Sequence, residues 1–157
     1  MDDCVQLQQL RSDEKTNQYL DRPKTISIKE SEAFVEKIDD FLLNNKSVYW
    51  VITLKTDNIL IGTICLWNFS VENDIIELGY ELSPVHQGKG IMQEAVKKVT
   101  AYGFDIIKAK IIIALPRADN INSVNLLKKA HFQLDIHHHY ATEADGYVTY
   151  YLLADSR

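Results

Sequence analysis

The residues whose types and spacing could do chemistry lie in "YELSPVHQGKGIMQEAVKKV", Tyr80 to Val99. An apolar run stops at Pro84, a turn carries Gly88, Lys89 and Gly90, and a helical pattern begins at once. At such a junction the first N–H groups of the helix point outward at the positive end of its dipole, which suits an anion such as phosphate. Gly88 and Gly90 permit close backbone approach, and Lys89 adds a mobile positive charge. From spacing alone, phosphate binding and a plain change of direction stay open. A nucleoside-triphosphate P-loop is excluded, because Gly90 is followed by Ile91 and there is no hydroxyl for magnesium. A dinucleotide fingerprint is weak, since its third glycine would fall at Gln93.

The elements around this junction follow from periodicity. Phe34, Ile38, Phe41 and Leu42 recur at helical spacing and predict a helix over Lys29 to Asn44, capped by Ser27 or Ser31. "SVYWVITL" and "ILIGTICLW", separated by "KTDN", predict an antiparallel hairpin. "IIELGYEL" is a third strand, ended by Ser83 and Pro84. From Gly90 to about Asp105, Ile91, Ala95, Val99 and Tyr102 form one stripe, widened by Met92 and Val96. "KIIIALP" has the unbroken apolar character of a central parallel strand. "NINSVNLLKKAHF" predicts a short helix with Leu126, Leu127 and Ala130 inward. Two strands, "FQLDIHHHY" and "YVTYYLL", joined through "TEADG", close the order. The pattern describes a mixed α/β sheet with helices on its faces.

At 157 residues the expectation is one domain, residues 1–157, able to bury its own core. A net charge of −5 argues against a general nucleic-acid or membrane-surface binder, which needs a basic field. Cys4 and Cys65 have neither metal-knuckle spacing nor the density of a disulfide scaffold. The acidic N-terminus and the lack of any apolar run near ~20 residues predict a soluble, cytoplasmic protein. The run His137, His138, His139 invites a metal, but on a strand only His137 and His139 share a face and no third ligand is apparent, so no metal is expected. Trp50, Trp67, Tyr140, Tyr147 and Tyr150 fit core or cross-strand positions better than an acceptor pocket.

"LGYELSPVHQGKGIMQEAV" closely resembles motif A of the GNAT superfamily of acyl-CoA N-acyltransferases, in particular its RimJ/RimL-like branch, whose signature is Q/R-x-x-G-x-G/A. Gln87, Gly88, Lys89, Gly90, Ile91 and Met92 lie on it in register, with Met92 where Gly or Ala is usual. "RADNINSVNLLKKAHF" resembles the branch's N-x-x-S helix entry through Asn120 and Ser123, with His131 in place of the Gly that helix exits favour. "LRSDEKTNQYLDRP" and "SIKESEAFVEKI" look like its N-terminal helices. Members usually start with a strand before the first of these, which has no counterpart here; a neighbour strand left uncovered would be an exposed edge favouring a homodimer.

The resemblance implies a mostly antiparallel central sheet in which the strands Glu77 to Leu82 and Lys110 to Pro116 splay apart. Acetyl-CoA is the implied co-substrate, its pyrophosphate on the N–H groups of Gly88 to Met92, its pantetheine amides on the backbone of Glu81 and Leu82. The implied reaction is direct attack of an amine on the thioester, with Glu77 as base and Glu81 in reserve, Ser123 as acid toward the departing thiolate, and Asn120 bonded to pantetheine or a water. Ser123 could equally be an ordinary cap of the helix beginning at Val124. The acceptor expected is a primary amine, either a protein N-terminus or a small molecule such as an antibiotic. An idle acyl-CoA-binding module is the alternative from another class.

Overall fold

The computed structural model describes residues 2–22, 26–70, 74–140 and 146–156. Four helices, α1 (Asp2–Ser12), α2 (Ile28–Leu43), α3 (Ile91–Asp105) and α4 (Ile121–Lys129), accompany six strands. These are β1 (Val48–Thr53), β2 (Leu60–Ser70), β3 (Ile75–Leu82), β4 (Ile111–Ala114), β5 (Gln133–Leu134) and β6 (Tyr150–Leu153), in the sheet order β1-β2-β3-β4-β6-β5. β3 and β4 run parallel, while β6 is antiparallel to both β4 and β5. The mixed, mostly antiparallel sheet with one parallel pair is the architecture expected from the sequence. Residues cluster into two compact units, Met1–Cys65 with Tyr80–Ile91, and Leu66–Gly79 with Met92–Arg157.

In the first unit, Leu7 and Leu10 of α1 bury against Leu60, with Phe34 and Val35 of α2 packed on them. α2 starts where its capping box dictates. The Glu30 N–H donates to Ser27 Oγ at 3.2 Å, and the Ser27 N–H donates to Glu30 Oε2 at 2.6 Å, so two otherwise orphaned donors satisfy each other's residues. Ser27 is therefore the cap; Ser31, the other candidate, is buried one turn inside.

In the second unit, α3 buries Met92, Val96, Val99, Thr100, Gly103 and Phe104. The stripe is rotated from the expected one: Tyr102 is exposed and Ile91 and Ala95 are only half-buried. The cause is Gly103. A Cβ there would come within 2.9 Å of Ile112 Cδ1 and 3.1 Å of Ile76 and Leu66 Cδ1, so the helix meets the strands at a notch that hydrophobicity alone does not mark. Thr100 can turn inward because its hydroxyl donates to the Val96 carbonyl at 2.9 Å.

α4 ends in a Schellman turn. Phe132 N–H bonds the Leu127 carbonyl at 3.0 Å and His131 N–H that of Lys128 at 3.1 Å, with Phe132 and Leu127 both buried. His131 holds φ +66°, the left-handed conformation glycine usually supplies. The expected strand "FQLDIHHHY" shrinks to Gln133–Leu134, because the buried Asp135 carboxylate accepts the Tyr140 N–H at 2.9 Å and folds the chain into a loop. His137 and His139 therefore do not alternate on a strand; their rings lie 5.3 Å apart, and among the described residues no cluster of three metal-ligating side chains forms. Most of "TEADG" lies outside the described residues.

His131→Gly should raise stability by about 1 kcal/mol by relieving the left-handed strain, seen in thermal unfolding as a gain of roughly 2–4 °C. No change in melting temperature would mean that other contacts of His131 offset that strain.

Candidate active site

Pro84 ends β3 and opens a single 3₁₀ turn, Pro84–His86, after which Gln87 to Gly90 run exposed into α3. Gly88 and Gly90 have φ +73° and +80°, and a Cβ on either would meet nothing within 4 Å. Both glycines are thus required by left-handed backbone and not by crowding from within the protein. The Gln87 side chain folds back, its Nε2 donating to the Leu82 carbonyl at 3.0 Å, which ties the turn to the end of β3. Gly90 stands immediately before α3 and has no side chain to cap it, and the first N–H groups of such a helix, at the positive end of its dipole, suit an anion. Met92, where the motif usually has a small residue, turns its side chain into the core, 7% exposed.

The β3–β4 ladder has three pairs, Ile75↔Ile111, Ile76↔Ile112 and Glu77↔Ile113. β3 continues five residues past the last of these. Glu77, at the end of the ladder, is half-buried and accepts a hydrogen bond from Asn68 Nδ2 at 3.3 Å. Burial raises its pKa, and the Asn68 bond offsets only part of that.

Glu81, in the first unit, is a different carboxylate altogether. Its side chain is 8% exposed and is fully committed: Arg22 Nη2 donates to Oε2 at 2.5 Å and Thr63 Oγ1 to Oε1 at 3.1 Å. Tyr49 donates to Thr63 Oγ1 at 2.9 Å, and burial followed by the Glu81 charge drives the Tyr49 phenol up. Arg22 Nε is held by Asn17 Oδ1 at 2.6 Å, and Asn17 in turn donates to the Arg11 and Asp13 carbonyls. Gly62, next to Thr63, lets the strands close: a Cβ there would lie 2.6 Å from the Glu81 carbonyl oxygen. None of Arg22, Asn17, Tyr49, Gly62 or Thr63 was marked by the sequence pattern.

In the second unit Asn120, not Ser123, caps α4: its Oδ1 accepts the Ser123 N–H at 3.1 Å. Ser123 lies on the first turn, half-buried. Ser123 is therefore not the cap. Asn120 retains only its amide N–H groups for a ligand. Of the aromatics, Tyr150 is core and Trp67 is exposed, and Tyr140 stacks at 4.9 Å on Tyr151.

This arrangement has counterparts. Residues 1–133 match the acetyltransferase (GNAT) domain, and the chain belongs to that family. It is an N-acetyltransferase. It is 29% identical over 133 residues to the uncharacterised N-acetyltransferase p20 of Bacillus licheniformis, covering 85% of this chain and 75% of that one. Its fold matches RimL, a ribosomal L7/L12 α-N-protein acetyltransferase in complex with coenzyme A, at a TM-score of 0.81 and 22% identity, covering 98% and 90% of the two chains. It also matches the spermidine N-acetyltransferase from Vibrio cholerae in complex with CoA and spermine, at 0.79 and 20%, covering 98% and 91%.

Removing Arg22 strands a buried carboxylate. Arg22→Met should cost about 3 kcal/mol in urea unfolding, and Glu81→Gln should recover part of that in the double variant because the charge left behind is gone. Additive losses in the double-mutant cycle would show that the pair is not coupled.

Proposed function

We propose that residues 1–157 act as one cytoplasmic N-acetyltransferase domain of the RimJ/RimL-like kind, moving acetyl from acetyl-CoA to a primary amine, a protein N-terminal α-amine foremost. The observation that carries the reading is the left-handed Gly88 and Gly90 turn leading into the α3 N-terminus, which Gly90 leaves without a side-chain cap. The pyrophosphate of acetyl-CoA is assigned to the N–H groups of Gly88, Lys89, Gly90, Ile91 and Met92, with Gln87 bracing the turn and the Lys89 ammonium nearby. Backbone groups of Glu81 and Leu82 take the pantetheine amides, and Asn120 contributes its amide N–H. Among the described residues no helix is long and apolar enough to cross a membrane. β1 forms one edge of the sheet and is the surface we assign to a homodimer.

The chemistry is a direct displacement. The amine lone pair attacks the thioester carbonyl, the C–N bond forms as the C–S bond breaks, and the ammonium proton must leave. Glu77 takes it, because burial keeps its pKa nearer to working pH than that of an exposed carboxylate. Glu81 is set aside as base, since Arg22 and Thr63 already occupy both its oxygens. Ser123 supplies a proton to the thiolate of CoA.

A base must be ionised to act, and a raised pKa moves that ionisation to higher pH. kcat/KM should therefore climb with pH through the Glu77 titration, and Glu77→Gln should lower turnover and flatten that limb with little change in CoA affinity. Ser123→Ala should likewise lower kcat more than cofactor binding. Full activity in both variants would remove these roles. Gly90→Val should weaken CoA binding at least about tenfold in calorimetry, since a β-branched residue resists φ +80°; unchanged affinity would end the pyrophosphate assignment. A screen of amines and peptide N-termini for CoA release from acetyl-CoA identifies the acceptor, and release with small amines alone would displace the protein N-terminus.

A further inference from the structure

Among the described residues, the first unit holds a cation that no carboxylate contacts as an ion pair. Arg22 is balanced by Glu81 and fixed by Asn17, so one carboxylate answers one guanidinium. Arg11 is left over. Its guanidinium lies 3.7 Å above the Phe34 ring, its Nε is sealed from solvent, and among the described residues no acceptor bonds that Nε and no carboxylate pairs with the group. Burial, and then the like charge of Arg22, push its pKa below the usual arginine value. A half-buried cation beside a second one costs free energy that stacking on one ring recovers only in part, because each N–H donor removed from water without an acceptor is destabilising.

The surroundings state what would satisfy it. Phe34 covers one face of the guanidinium and Tyr49 stands edge-on to Phe34 at 5.8 Å; the planar fork of donors on a guanidinium matches a planar or tetrahedral oxyanion. Arg11 also feels the Glu81 charge, which acts against burial and the Arg22 charge to raise its pKa. We propose that Arg11 is a recognition residue for an oxyanion, a carboxylate or a phosphate, carried by the amine acceptor. This inference rests on the proposed reading of the chain as an amine N-acetyltransferase. It predicts selection for acidic amines or for N-termini followed closely by an acidic or phosphorylated side chain.

The test uses the full chain and matched acceptors: 4-aminobutyrate against butylamine, aminoethyl phosphate against ethylamine, and peptides with Asp against Asn at the second position. The anionic member of at least one pair should have kcat/KM about tenfold higher, as a charge-assisted hydrogen bond supplies, and the pair that responds tells carboxylate from phosphate. Arg11→Gln should bring that ratio to near one, and Arg11→Lys, which keeps charge but loses the fork, should leave it intermediate. A second readout needs no turnover: calorimetric titration of the CoA-saturated protein with succinate and with inorganic phosphate should detect binding that Arg11→Gln abolishes. Equal rates within every pair together with no oxyanion binding overturn the proposal, even if acetyl transfer proceeds. Oxyanion binding lost in Arg11→Gln with no amine acetylated would instead overturn the acceptor reading and leave the site. Should Arg11→Gln fail to fold, the wild-type ratios and Arg11→Lys decide.

Discussion

A carboxylate placed inside a sheet has to be given partners, and in the first unit that demand organises everything around it. Glu81 takes one bond from Thr63 on the neighbouring strand and an ion pair from Arg22, 59 residues earlier in the chain. To reach it, the stretch after α1 must be folded down, which Asn17 accomplishes by joining the Arg22 guanidinium to two carbonyls at the end of that helix. To let the strands come close enough, residue 62 must be glycine. An ion pair of this kind adds little net stability over a well-packed apolar substitute, yet breaking it is costly.

The entry to α3 is built on the opposite principle. Where Glu81 is over-supplied with partners, the entry to α3 is under-supplied, with two left-handed glycines and no capping side chain. Glu77 sits between these extremes, half-buried, with a single amide partner.

The sequence disclosed most where residues act locally. β3 and α3 were legible to within a residue, because Pro84 and the glycines punctuate them, and the capping box of α2 was visible in Ser27 and Glu30. The stripe of α3 was right at Met92, Val96 and Val99 and wrong at Tyr102, because a glycine and a threonine, Gly103 and Thr100, do packing that a hydrophobicity pattern assigns to larger residues. β5 was overestimated because the side chain of Asp135 captures a backbone N–H that a strand would have used. Ser123 and Asn120 were recognised as a pair, and of the two readings left open for Ser123 the capping one goes to Asn120. The Arg22, Asn17 and Tyr49 contacts left no periodic trace, since a pairing across 59 residues depends on the finished fold and not on spacing along the chain.

One further consequence follows from the chain of hydroxyls leading to Glu81. An ionised carboxylate can only accept, so the single hydrogen of Thr63 must point to Glu81, and the hydrogen of Tyr49 must then point to Thr63. The row therefore has a direction, set by charge at one end. A phenol whose only proton is spent inward has none to offer a second acceptor, so Tyr49 serves as the anchor of a fixed dipole.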